Sequence, residues 1–110
     1  MGYMEDSAQQ RKQRQFLDAV EHSVHDINHE VIHAVLPRMD KTTFMKMARS
    51  VAQIRIKYIA ATAAALASGE APSPQQAAQL KQLREQFEES RTGFDALKRA
   101  ISRGYIDVGD

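Results

Sequence analysis

All three prolines of this chain fall in two short segments, Pro37 and Pro72 to Pro74, and the three intervals they leave are free of that helix breaker. Of the five glycines, only Gly93 sits inside a patterned interval. Within each interval the apolar residues recur at spacings of three and four, the period of one face of an α-helix. A chain punctuated in this way can form little but long helices. At 110 residues it is long enough for one domain with one core and too short for two.

The first interval opens on Ser7-Ala8-Gln9-Gln10, a capping-box pattern that predicts a helix start. Its early turns carry Arg11, Lys12 and Arg14 and are polar. From there the apolar stripe runs Leu17, Val20, Val24, Ile27, Val31 and Ala34, widened by Phe16 and Val35. Pro37 cannot continue the hydrogen-bond ladder and drives Leu36 away from helical geometry. Helix 1 is therefore expected over about 7–36. The short connection that follows predicts a reversal of direction, with Asp40 or Thr42 capping helix 2 over about 41–68 and Gly69 closing it.

Helix 2 carries two apolar seams side by side. One is Phe44, Met47, Val51, Ile54, Tyr58, Ala61 and Ala65; the next position along gives Met45, Ala48, Ala52, Arg55, Ile59, Thr62 and Leu66. An apolar arc this wide needs more than one neighbour. Ser73-Pro74-Gln75-Gln76 combines a cap, a first-turn proline and a capping-box glutamine, so helix 3 is expected over about 74–103. Its stripe is Leu80, Leu83, Phe87, Ser90, Phe94, Leu97 and Ile101. Gly104 ends it, and the tail 104–110, with Tyr105-Ile106-Asp107-Val108, is expected to fold back onto the helices. The expected fold is all-α: an up-down-up bundle of three long antiparallel helices, each about 40 Å long. The second seam of helix 2 points to a homodimer, in which a second copy completes a larger helical, coiled-coil-like bundle.

Chemistry could reside in helix 1, which holds every histidine of the chain. His22, His25, His29 and His33 fall within a sector of roughly 80° on a helix, opposite the apolar stripe. His25/His29 and His29/His33 have the four-residue spacing with which two imidazoles chelate a transition metal such as zinc or iron. Asp18, Glu21 and Asp26 are near enough in sequence to add oxygen ligands, and Glu30-Val31-Ile32-His33 has the Glu-x-x-His form of di-iron bundles. Such bundles need a second pair, and no other segment supplies a histidine. Arg55 lies inside the apolar arc of helix 2, where a charge needs a partner, and an ion pair with Glu21 or Glu88 is expected.

Composition narrows the functional classes. A formal charge of +1 provides no overall field for nucleic acid or an anionic membrane. The strip Lys46, Arg49 and Lys57, with Arg38 and Lys41, lacks interleaved aromatics and reads as a solvated face. Without cysteine there is no disulfide framework and no thiolate chemistry, which fits a reducing compartment. No apolar run is long enough to span a bilayer, no signal-peptide core appears, and Asp6 stands where a myristoylation signal after Met1-Gly2 needs Ser or Thr. A cytoplasmic location is expected, with Met4 as the alternative start. No glycine-rich phosphate loop or nucleophile-base pair is present, so no enzymatic activity and no cofactor are expected. The expected function is a non-catalytic helical protein-protein interaction or regulatory module that forms a homodimer and binds a partner protein. The alternative is a transition-metal-binding bundle that uses His22, His25, His29 and His33.

Overall fold

The structure is a computed structural model that describes residues 2–109; Met1 and Asp110, the last residue of the expected tail, lie outside it. Three helices dominate it: α1 (Gly2–Val35), α2 (Lys41–Leu66) and α3 (Pro74–Ser102). Two three-residue strands, β1 (Arg38–Asp40) and β2 (Asp107–Gly109), flank the α2–α3 unit.

The α2–α3 pair is an antiparallel hairpin built from the expected faces. Every residue of the first α2 seam and every residue of the α3 stripe is half-buried or buried, while their neighbours on the outer sides are mostly exposed. Phe44 near the start of α2 packs against Phe94 near the end of α3, with ring centroids 4.9 Å apart and the planes tilted by 33°. At the other end Ala65 is buried, where the small residues closing α2 allow α3 to approach. Helix α2 stops at Leu66, two residues earlier than its pattern suggested, and Gly69 turns the chain at φ 79°.

Both caps of the hairpin are side-chain oxygens. Asp40 Oδ1 accepts from the Thr43 backbone N–H at 2.7 Å, and Oδ2 accepts from the Thr43 hydroxyl at 3.1 Å. These two bonds, the backbone one first, hold the Asp40 carboxyl below its ordinary value of 3.8, helped by Arg38 and Lys46. A carboxyl depressed on folding stabilises the fold fully above its unfolded pKa and loses that contribution as pH falls through the folded one. The acid branch of the stability profile, below about pH 4, is therefore expected to flatten in Asp40→Asn, which keeps a capping oxygen but does not titrate. Denaturant midpoints measured across that range check this. In α3, Ser73 Oγ accepts from Gln76 N at 3.1 Å while Gln76 Oε1 accepts from Ser73 N at 2.9 Å, completing the box. Ser73→Ala is expected to cost about 1 kcal/mol, a fall in Tm of roughly 5 °C by calorimetry.

The strands were not expected, and their cause is local. Pro37 ends α1 and leaves the next residues extended, while Gly104, at φ 77°, reverses the chain after α3. The tail then returns beside β1, pairing in parallel with Arg38 opposite Asp107, Met39 opposite Val108 and Asp40 opposite Gly109. The Asp107 N–H also donates to the Pro37 carbonyl at 3.0 Å. Parallel strands need a long crossover, and the whole α2–α3 hairpin is that crossover. The ladder is too short for any alternation of side chains to announce it. Around it lie Met39, Tyr105 and Ile106, which with Ala65 are the buried hydrophobic residues among those described. The expectation that the tail folds back is thus met by a strand and a buried Tyr-Ile pair.

Helix α1 departs most from expectation. It begins at Gly2, not near residue 7, so Ser7 lies within the helix and is not its cap. It does not pack along α2 or α3, and an up-down-up bundle is not formed within one chain. The Leu36-Pro37 exit and the β ladder set its direction, and only its last turns touch the rest of the molecule. The radius of gyration is 22.8 Å, against about 13 Å for a compact chain of this length. The accessible surface is 8908 Å², against about 6,100 Å² for a compact 12.4 kDa monomer.

Candidate functional site

Helix α1 has two faces with different fates. Its histidine side is joined to the chain's own tail. The Arg103 carbonyl, left without a helical partner at the end of α3, accepts from the His25 Nε2–H at 3.0 Å. The His25 ring also lies against Tyr105, at 5.1 Å between centroids. One turn on, Asn28 Nδ2 donates to the Tyr105 hydroxyl at 3.5 Å, and His33 Nε2 meets Asp107 Oδ2 at 3.1 Å. Asn28, Ile32, His33 and Leu36 are the half-buried residues of this face. Two of the four histidines therefore hold a joint between α1, the end of α3 and β2.

The apolar side is open. Phe16, Leu17, Val20, Val24, Ile27, Val31 and Val35 are all exposed, Phe16 at 68% and Val35 at 84%. These are the residues that a 3.6-residue period marks as a core face, and they form one stripe over about five turns. A contiguous exposed apolar stripe of this length is unusual, whereas single exposed apolar residues need no explanation. The opposition of stripe and histidines is as the sequence places it, but the side that packs within the chain is the histidine side.

Helix α2 leaves much of its second seam open. Met45, Ala52, Ile59 and Leu66 are exposed, with Ile56 beside them, while Ala48 and Thr62 are half-buried. Arg55 is also exposed and is not brought to Glu21 or Glu88: among the described residues it has no ion pair within the chain. Glu88 lies 4.0 Å from Arg84 on its own helix, and Glu21 is exposed on α1. The ion pair expected from an up-down-up bundle fails here because α1 is not beside α2.

For metal chemistry the geometry is sparse. His29 and His33 stack face to face with centroids 5.1 Å apart, and His22 lies 3.6 Å from Asp26. Among the described residues no three histidine or carboxylate groups converge as a metal site would need. An open apolar cleft of about 240 Å³ lies between the ladder and the first turn of α2, lined by Met39, Phe44, Ile101 and Val108. Its carboxylate, Asp40, is engaged in capping α2.

The joint residues Asn28, Arg103, Tyr105 and Asp107 were not singled out from sequence as functional. The one available signal was the apolar Tyr105-Ile106 pair beyond a helix-closing glycine. No described helix is long and apolar enough to cross a membrane. No protein-family model matches the chain, and neither a curated protein nor a solved structure shows significant similarity to it.

Proposed function

We propose that this protein is a non-catalytic helical interaction module that self-associates as a homodimer, with the apolar stripe of α1 as its docking surface. The observation that carries this reading is the uncovered stripe from Phe16 to Val35. A single chain exposes about 2,800 Å² more than a compact monomer of its mass, so two copies together carry about 5,600 Å² of excess surface, at the upper end of what obligate dimer interfaces bury. A second copy is the simplest partner able to cover it, because symmetric association closes and leaves no stripe exposed. The dimer then supplies the third layer that a single chain lacks, and its remaining helix faces are free to present a protein partner with a rigid surface. The absence of cysteine is compatible with a cytoplasmic setting.

Sedimentation velocity at micromolar concentration tests this directly. The expected species has twice the 12.4 kDa chain mass. A chain that sediments as a monomer throughout the micromolar range overturns the proposal.

A further inference from the structure

The open faces of the molecule carry opposite charge, and this decides how two copies meet. From Gln15 to Pro37 helix α1 and its exit contain Asp18, Glu21, Asp26 and Glu30 and no lysine or arginine. From Lys41 to Leu66 helix α2 contains Lys41, Lys46, Arg49, Arg55 and Lys57 and no acid. On the helical projection Glu21 and Glu30 border the α1 stripe on its two sides, and Arg49 and Arg55 border the open α2 seam in the same way. Both seams are free within the chain. The inner seam of α2 is occupied by α3, and the histidine side of α1 is occupied by the tail.

We infer that the dimer forms by reciprocal exchange of α1, the apolar stripe of each copy lying along the open seam of α2 in the other. This rests on the proposed self-association and specifies its surfaces. The lengths agree: Phe16 to Val35 spans about 28 Å and Met45 to Leu66 about 32 Å at 1.5 Å per residue. The charges exclude the two other symmetric pairings. Placing α1 on α1 sets the bordering Glu21 and Glu30 of one copy against the same pair, and placing α2 on α2 sets Arg49 and Arg55 against theirs; like charges at an interface select against a partner. Exchange instead borders each apolar seam with opposite charges. It also places Arg55, unpaired in the single chain, within reach of an acidic helix.

Charge reversal tests the pairing with the full chain. An acid-reversed variant carries Glu21→Lys and Glu30→Lys; a base-reversed variant carries Arg49→Glu and Arg55→Glu. All four positions are exposed in the single chain, and circular dichroism verifies that helix content is kept. In each variant alone both exchanged contacts become repulsive, so the dimer is expected to weaken by at least about tenfold at low salt. An equimolar mixture of the two is expected to form a heterodimer, since both contacts in it are again attractive. One chain with all four substitutions is expected to recover self-association to within about threefold of the unsubstituted protein. If the unsubstituted chain dimerises and neither double variant alone is weakened, the exchange is wrong while self-association stands. If the variants weaken but neither the mixture nor the four-fold variant recovers, the exchange is likewise overturned. A monomeric unsubstituted chain overturns both.

Discussion

Replacing Val24 and Ile27 together with aspartate is expected to turn the proposed dimer into monomers over the concentration range in which the unsubstituted chain associates. In the single chain these residues are 47% and 55% exposed and neither belongs to the buried core, Val24 bordering the open cleft beside Arg103 and Tyr105. The helix propensity of aspartate is only slightly worse than that of valine or isoleucine. In the proposed dimer both sit in the middle of the covered stripe. Losing the burial of each and desolvating a carboxylate in its place costs roughly 2 kcal/mol per site, and each substitution is present in both copies, so the four sites should raise the dissociation constant by on the order of a millionfold. His22→Asp, on the opposite side of the same helix, is the matched control and should leave association unchanged. Sedimentation equilibrium on the three proteins provides the comparison. Equal dissociation constants for the double variant and the control would mean that the stripe is not the docking surface.

The second large effect is expected from Ile106→Ala. Ile106 is 3% exposed and sits beside Tyr105 and Met39, where the end of α1, the β ladder and the hairpin meet. Removing three carbons from a closed site loses their burial and leaves a cavity that the short, pinned ladder cannot collapse to fill. The expected cost is about 3 kcal/mol, a large share of the stability of a domain this small. Urea midpoints at fixed protein concentration, needed because association adds to apparent stability, should fall by about 1–2 M. Val108→Ala, one strand position from the core at 68% exposure, should move the midpoint little. A similar shift for both would show that the tail is not a structural clamp, and α1 would then be hinged rather than fixed.

These two expectations divide the molecule as its sequence does. Helix faces are local properties: the inner α2 seam and the α3 stripe, read residue by residue from the three- and four-residue spacing, are the surfaces that meet in the hairpin. The cap at Ser73 was equally legible, and that of α2 was narrowed to Asp40 or Thr42, of which the structure uses Asp40, since a cap is a contact between residues three apart in sequence. Ser7 shows the limit of that logic. A capping pattern is permissive, and helix-compatible residues upstream let α1 run through it to Gly2. The histidine stripe was placed correctly opposite the apolar one, but its use was not visible, because His25 and His33 meet groups more than seventy residues away, at Arg103 and Asp107.

What the sequence by itself determined is the set of helices, the cap of α3 and the apolar faces, because each follows from steric and hydrogen-bond rules acting over a few residues. What only the tertiary structure decided is where α1 goes. An apolar stripe states that a face is to be buried and not by what, since the hydrophobic effect carries no direction. Direction came from a three-residue parallel ladder and a buried Tyr-Ile pair, which join the exit of α1 to the tail and turn its stripe away from the chain's own hairpin.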